Sequence, residues 1–142
     1  MPSDSPASRP LDGSRQALLQ LLAELCALAG QDAAAPPVLE LQLGAVVTRA
    51  TVGAGPGGDC LHISVRLPRS PPSAYAAQAR HSIGGDGFDC MWHADEGCHI
   101  VVRRMALAAF RDERSVMDAM LDTADLAQAW QAGMLLDQPA AC

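Results

Sequence analysis

Phe88-Asp89-Cys90-Met91-Trp92-His93-Ala94-Asp95-Glu96-Gly97-Cys98-His99-Ile100-Val101-Val102-Arg103-Arg104 is the stretch that decides how the chain is read. Two runs rich in aromatic and β-branched residues flank Asp95-Glu96-Gly97, a three-residue hairpin loop with glycine where a left-handed backbone is needed. The matching register sets Ala94 opposite Cys98, Trp92 opposite Ile100, Cys90 opposite Val102 and Phe88 opposite Arg104. One face is then expected to carry Phe88, Cys90, Trp92, Cys98, Ile100 and Val102. The other carries Asp89 across from Arg103, Met91 across from Val101 and His93 across from His99. An apolar face backed by a charge-matched one is what a half-buried antiparallel pair requires.

Upstream of the hairpin the periodicity first reads as helix and then as strands. Ser14 is a plausible N-cap for a helix reaching about Ala29, with Gly30 at the C′ position. Leu18, Leu22, Leu25 and Ala29 form its stripe, widened by Leu19 and Cys26, while Leu21 and Leu28 fall away from the centre and hint at a second contact surface. After Ala35-Pro36-Pro37 the period drops to two. Leu39, Leu41 and Leu43 share one face of a strand over 38–43, with Glu40 and Gln42 on the other. A second strand covers 45–52, and Gly53-Ala54-Gly55-Pro56-Gly57-Gly58 reads as a turn. This glycine-rich run lacks the lysine and the pattern of a phosphate loop, so a hairpin turn is the plainer reading. Residues 59–67 alternate again, with Leu61, Ile63, Val65 and Leu67 on one side. Ser73 caps an expected Ala-rich helix through Tyr75, Ala76, Ala79 and Ile83, closed by Gly84-Gly85; its small residues suit close approach of another helix, making it a candidate dimer contact.

Downstream, Ser115-Val116-Met117-Asp118 resembles a capping box that opens a long helix. Met117, Met120, Leu121, Ala124 and Ala127 recur at helical spacing with Trp130 one turn on, Asp118, Asp122 and Asp125 lie outside, Gly133 comes near the end, and Pro139 stops the helix. The predicted fold class is α+β, in the order α-β-β-β-α-β-β-α, an antiparallel sheet packed by N- and C-terminal helices. Residues 14–136 form the single domain, between tails at 1–13 and 137–142.

Composition narrows the function. Of 142 residues, 49% are hydrophobic but only 4% aromatic, so aliphatics must fill the core, and burying surface in a dimer would help so small a domain. Ten basic residues against 16 acidic give a net charge of −6, and the basic ones are all Arg. That balance disfavours nucleic acid and anionic membrane, and it suits capture of a basic or apolar segment. The start of the chain does not read as a signal peptide, and no run reaches the roughly 18 apolar residues of a membrane span. Five widely spaced cysteines, an odd count, point to a reduced, cytoplasmic setting.

Chemistry finds little footing. Cys90, His93, Cys98 and His99 tempt a zinc reading, but residues three apart on a strand face opposite ways, and no Cys-x-x-Cys knuckle is present. His93 with His99 is left as a two-ligand surface possibility, though paired solvated histidines are the plainer reading. Cys60 and His62 share a strand face and form the best nucleophile pair, but no orienting third group is signalled. Asp95 and Glu96 sit in a turn, where solvated charge is the ordinary explanation. No cofactor motif is present and no catalytic or metal residue is assigned.

The order of elements resembles the class I type III secretion chaperones, also called the Tir chaperone family, over about 14–133. The most specific part is the hairpin leading through Arg103-Arg104-Met105-Ala106-Leu107 into a long helix with Asp122-Thr123-Ala124-Asp125 and Trp130. The resemblance implies a cytoplasmic, non-enzymatic homodimer that binds the extended N-terminal segment of a secreted effector, partly by strand addition and partly through apolar patches, and keeps it soluble and export-competent. Leu21, Leu28, Leu39, Leu41 and Leu43 are the partner-contact candidates; Tyr75, Ala76, Ala79, Met91 and Val101 are the dimer candidates. The competing readings are an adaptor of the same fold that binds a folded protein, and a small enzyme using Cys60 or Cys90.

Overall fold

The strict alternation of the strands shows in which side chains are covered. Val46, Thr48, Ala50 and Val52 are buried, whereas Val47, Arg49, Thr51 and Gly53 between them are not. The computed structural model describes residues 14–31, 36–55, 58–68, 80–82, 88–93 and 95–137, with the backbone alone for 80–82 and 133–137. The elements are α1 (Arg15–Leu28), β1 (Leu39–Leu43), β2 (Val46–Gly55), β3 (Gly58–Arg66), β4 (Arg80–Ser82), β5 (Phe88–His93), β6 (Cys98–Ala106), a 3-10 turn (Leu107–Ala109) and α2 (Glu113–Asp137). The strands form one six-stranded antiparallel sheet in the order β1-β2-β3-β6-β5-β4. The class is therefore α+β.

Both helices cover the same face. α1 packs on β1 and β2, and α2 on β2, β3 and β6. Leu18, Leu21, Leu22, Leu25 and Cys26 of α1 meet Leu39, Ala50, Val52, Leu61 and Ile63, with Phe110, Val116, Ala119 and Met120 closing the cluster. A second cluster joins Val46, Val65, Leu67, Cys90 and Val101 to Ala124 and Ala127, with Leu43, Phe88 and Trp130 at its margin. Each fully buried leucine contributes about 1.5–3 kcal/mol. On the covered face the hydroxyl of Thr48, fully buried, has no hydrogen-bond partner among the described residues. His99 is also fully buried there, its ring 4.7 Å from Trp92 and 5.1 Å from Trp130.

Several expectations change. The hairpin closes on His93 opposite Cys98, so its loop is 94–97, and every pair shifts by one: Trp92 faces His99, Met91 faces Ile100, Cys90 faces Val101 and Phe88 faces Arg103. Gly97 does take the left-handed backbone, at φ 64°, and its N–H donates to the His93 carbonyl at 2.9 Å. The shift puts Val101 and His99 under the helices beside Cys90, and Ile100 and Val102 on the open side. Asp89 consequently stands opposite Val102 and pairs diagonally with Arg104 at 3.0 Å, while the Arg103 guanidinium lies 4.5 Å over the Phe88 ring.

The glycine-rich run is mostly strand: Gly53 pairs with Cys60 and Gly55 with Gly58, which leaves only 56–57 as the connection. The lack of a side chain is used here, because a Cβ on Gly53 would meet the His62 ring at 3.1 Å and one on Gly55 the Cys60 sulfur at 2.9 Å. Arg80–Ser82, expected at the end of the Ala-rich helix, form the edge strand β4 against β5; 73–79 and 83–85 lie outside the described residues. The long helix starts earlier than expected. Asp112 is its cap, the Asp112 carboxylate accepting from the Ser115 N–H at 2.9 Å while the Ser115 hydroxyl accepts from the Asp112 N–H at 3.2 Å. This reciprocal pair places the box three residues before the expected one, and the helix runs through Gly133 to Asp137. The tails at 1–13 and 138–142 lie outside the described residues.

Candidate peptide-binding edge

α1 begins as its sequence directs, with the Ser14 hydroxyl accepting from the Ala17 N–H at 3.1 Å. Its other end is closed by a Schellman turn. Gly30 adopts φ 72°, its N–H donates to the Ala27 carbonyl at 3.1 Å, and the Gln31 N–H donates to the Cys26 carbonyl at 2.9 Å. That geometry delivers the Gln31 side chain to the outer edge of β1. Its carboxamide oxygen accepts from the Glu40 N–H at 3.0 Å, and its amide nitrogen donates to the Glu40 carbonyl.

These bonds fix the polarity of the edge. In an antiparallel ladder alternate residues turn their backbone groups to opposite sides. Glu40 turns its groups away from β2, and so therefore does Gln42, while Leu39, Leu41 and Leu43 turn theirs inward. The same corner is held by the Cys26 thiol, which donates to the Val38 carbonyl at 3.3 Å, and by the Thr51 hydroxyl, which donates to the Pro37 carbonyl at 3.4 Å. On the open side Glu40 pairs with Arg49 at 2.6 Å, two half-exposed groups whose attraction is worth under about 1 kcal/mol.

The partner-contact candidates divide. Leu21 and Leu39 are 6% and 1% exposed and belong to the core, because α1 buries a wider stripe than its central leucines alone. Leu41 and Leu43 are half-buried at its margin, and Leu28 is 82% exposed in the last turn of α1. With Val38 and Leu121 it makes up the large hydrophobics exposed among the described residues, and two of these three sit at the α1–β1 corner. Of the dimer candidates, Val101 is fully buried under the helices and is withdrawn for that reason; Met91 is half-buried on the open face opposite Ile100. Tyr75, Ala76 and Ala79 lie outside the described residues.

The Cys and His residues do not converge. Cys90 and His99 lie on the covered face, with Cys98 and His93 on the other, so the paired-histidine surface site is also withdrawn: His99 is buried and His93 exposed. Among the described residues no three His, Cys, Asp or Glu side chains gather as metal ligands would. Cys60 and His62 do share the open face, but Cys60 is buried and His62 turns its Nε2 to the Ala54 carbonyl at 3.2 Å. Burial raises the Cys60 thiol, partly offset by Arg104 and reinforced by Asp59; burial alone pushes Cys90 up to about 12. Asp95 is exposed in the loop, and Glu96 pairs with Arg66 at 3.2 Å.

A recess of about 350 Å³ opens between Ala45, Val47, Leu67, Pro68 and Cys98, and the Arg66–Glu96 pair lines it. Those charges already hold each other, which leaves the edge of β1 as the better-built recognition feature. Sequence reasoning missed Gln31, because a carboxamide meeting a strand edge is a tertiary contact without periodicity. The one signal was Gly30 at C′, which fixes where the next residue points. No family model, no curated protein and no solved structure matches this chain. Among the described residues no helix is long and apolar enough to cross a membrane.

Proposed function

We propose that the chain is a non-catalytic secretion chaperone of the type III class I kind, which binds the extended N-terminal segment of a secreted effector and keeps it soluble and export-competent. The observation that carries the reading is the α1–β1 corner. An edge strand there turns backbone N–H and C=O groups outward beside exposed Leu28 and Val38. A non-globular segment offers the complement, namely unpaired backbone and spaced apolar side chains. Ordering such a segment costs free energy, so an apolar patch must accompany the backbone pairing. Leu28, Leu41 and Leu43 are the contacts retained from the sequence reading.

The cysteines favour this reading over a thiol enzyme. Cys26, Cys60, Cys90 and Cys98 are all buried, and burial raises the first three, so those three form little thiolate near neutral pH. The proposed setting is the bacterial cytoplasm. The proposed assembly is a homodimer, with Met91, Tyr75, Ala76 and Ala79 as the contacts still open to test.

Co-expression with the N-terminal segment of a secreted protein encoded beside this chain tests the function. The expected result is a soluble complex, lost on Leu28→Asp with the fold unchanged by circular dichroism. A segment that stays insoluble, while a folded domain of the same protein binds, overturns the reading in favour of an adaptor. Light scattering gives the assembly: twice 14.8 kDa supports the homodimer, and a stable monomer removes it.

A further inference from the structure

The Gln31 carboxamide makes the two bonds that a peptide group of a neighbouring strand would make. It accepts from the Glu40 N–H at 3.0 Å and donates to the Glu40 carbonyl. The side chain thus stands in for one residue of a seventh strand. It is held there by backbone rather than by packing: Gly30 at φ 72° and the Gln31 N–H bond to Cys26 aim it, and Gln31 is itself only half-buried. Among the described residues no comparable side chain bonds the outward backbone of Gln42, whose own amide donates to the Gly44 carbonyl at 3.1 Å.

We infer that Gln31 is a placeholder on the β1 edge, displaced when an extended peptide adds to β1 as a further strand. This deepens the proposed function and rests on it, naming how the same edge is kept closed in the free protein. An open edge is a template for unwanted pairing, and a short polar cap is one way to blunt it without forbidding the intended partner. The two bonds lie in exposed surroundings, so each is weak and reversible. A partner strand replaces both and adds the pairing of Gln42.

The edge also states what the partner is. Side chains of an added strand alternate between the two faces. On the side of α1 they meet half-buried Leu41 and Leu43, with Leu28 exposed in the last helical turn, and must be apolar. On the open side they meet Glu40 and Gln42, both exposed, and must be neutral or basic. The occupant is an amphipathic extended peptide, apolar at every second residue and carrying Thr, Gln, Lys or Arg between.

The test uses the full chain and a fluorescein-labelled ten-residue peptide alternating Leu or Val with Thr or Lys, titrated by anisotropy. Gln31→Ala removes the competitor and is expected to tighten binding about tenfold, the equivalent of the two lost bonds. Glu40→Pro deletes the outward N–H, which serves no bond to β2, and is expected to abolish binding. Amide hydrogen exchange of the unmodified protein gives a reading that needs no variant: the Gln42 N–H should slow on adding peptide. Equal affinity for Gln31→Ala and the parent, with Gln42 exchange unmoved, overturns the placeholder while leaving peptide binding in place. A peptide that binds no form of the chain overturns the placeholder and the proposed function together.

Discussion

The two faces of one sheet handle the same residue type in opposite ways. Arg103 and Arg104 are neighbours on β6 and point to opposite sides. Arg103 lies under the helices, its guanidinium 4.5 Å over the Phe88 ring and 3.4 Å from the Thr123 hydroxyl. Arg104 lies on the open face and forms an ion pair with Asp89 at 3.0 Å. The covered face treats a cation as something to be laid on an aromatic ring and tied to α2. The open face treats it as half of a surface pair. Position in the strand period, more than residue type, decides which physics applies.

The strongest way to break the contrast is to hollow the covered face. Leu22 is fully buried between α1 and the sheet, and Leu22→Ala is expected to cost about 3 kcal/mol in urea unfolding. The same truncation of half-buried Val47 on the open face is expected to cost about 1 kcal/mol or less. Comparable losses at both sites would mean that the open face is packed against something in solution.

The next effect is read against pH. Burial on the covered face pushes Cys90 from its ordinary value of 9.0 up to about 12, so the fold prefers the neutral thiol. That preference is fully present below the unfolded value and is lost as pH rises from about 9 towards 12. The chain has no lysine and one tyrosine, and the groups that share the window are chiefly the other cysteines, with Cys26 and Cys60 raised by burial as well. The urea midpoint is expected to fall across it, and to fall less in Cys90→Ala; identical falls would assign the loss to another group.

The smallest effects sharpen the arginine comparison itself. Arg103→Ala is expected to cost about 1–2 kcal/mol, because a partly desolvated cation over a ring is lost together with its hydroxyl contact. Arg104→Ala is expected to cost about 0.5 kcal/mol and less as salt is added. A reversal of that order would mean that the Asp89 pair is shielded from water.

How much of this was legible follows the same division. The hairpin, the first helix and the central strands are local signals, carried by alternation and by Gly30 and Gly97, and they were readable. The hairpin register was not. A three-residue loop ending on Gly97 and a four-residue one place glycine at the same point, and Asp89 opposite Arg103 looked like the better charge match. The molecule instead pairs Asp89 with Arg104 on the diagonal and spends Arg103 on Phe88 and Thr123, a partner far along the chain. Gly53 and Gly55 read as turn because their reason for being glycine lies across the sheet, in the His62 ring and the Cys60 sulfur. At the candidate edge, Leu28 stood out as a leucine off the helical stripe, whereas Leu21 fell within a stripe wider than the heuristic allows. Gln31 carried no pattern.

The open-face pairs also bear on speed. Arg49, Arg66 and Arg104 are each held by a carboxylate, from Glu40, Glu96 and Asp89 in turn. Beyond a Debye length, about 8–10 Å at ordinary ionic strength, such a face is felt as a set of small dipoles instead of a basic patch. The long-range field of the chain is then that of its remaining acidic excess, within a net charge of −6. Diffusing cations are drawn to the molecule as a whole without being guided to this face, and that attraction fades as salt is raised.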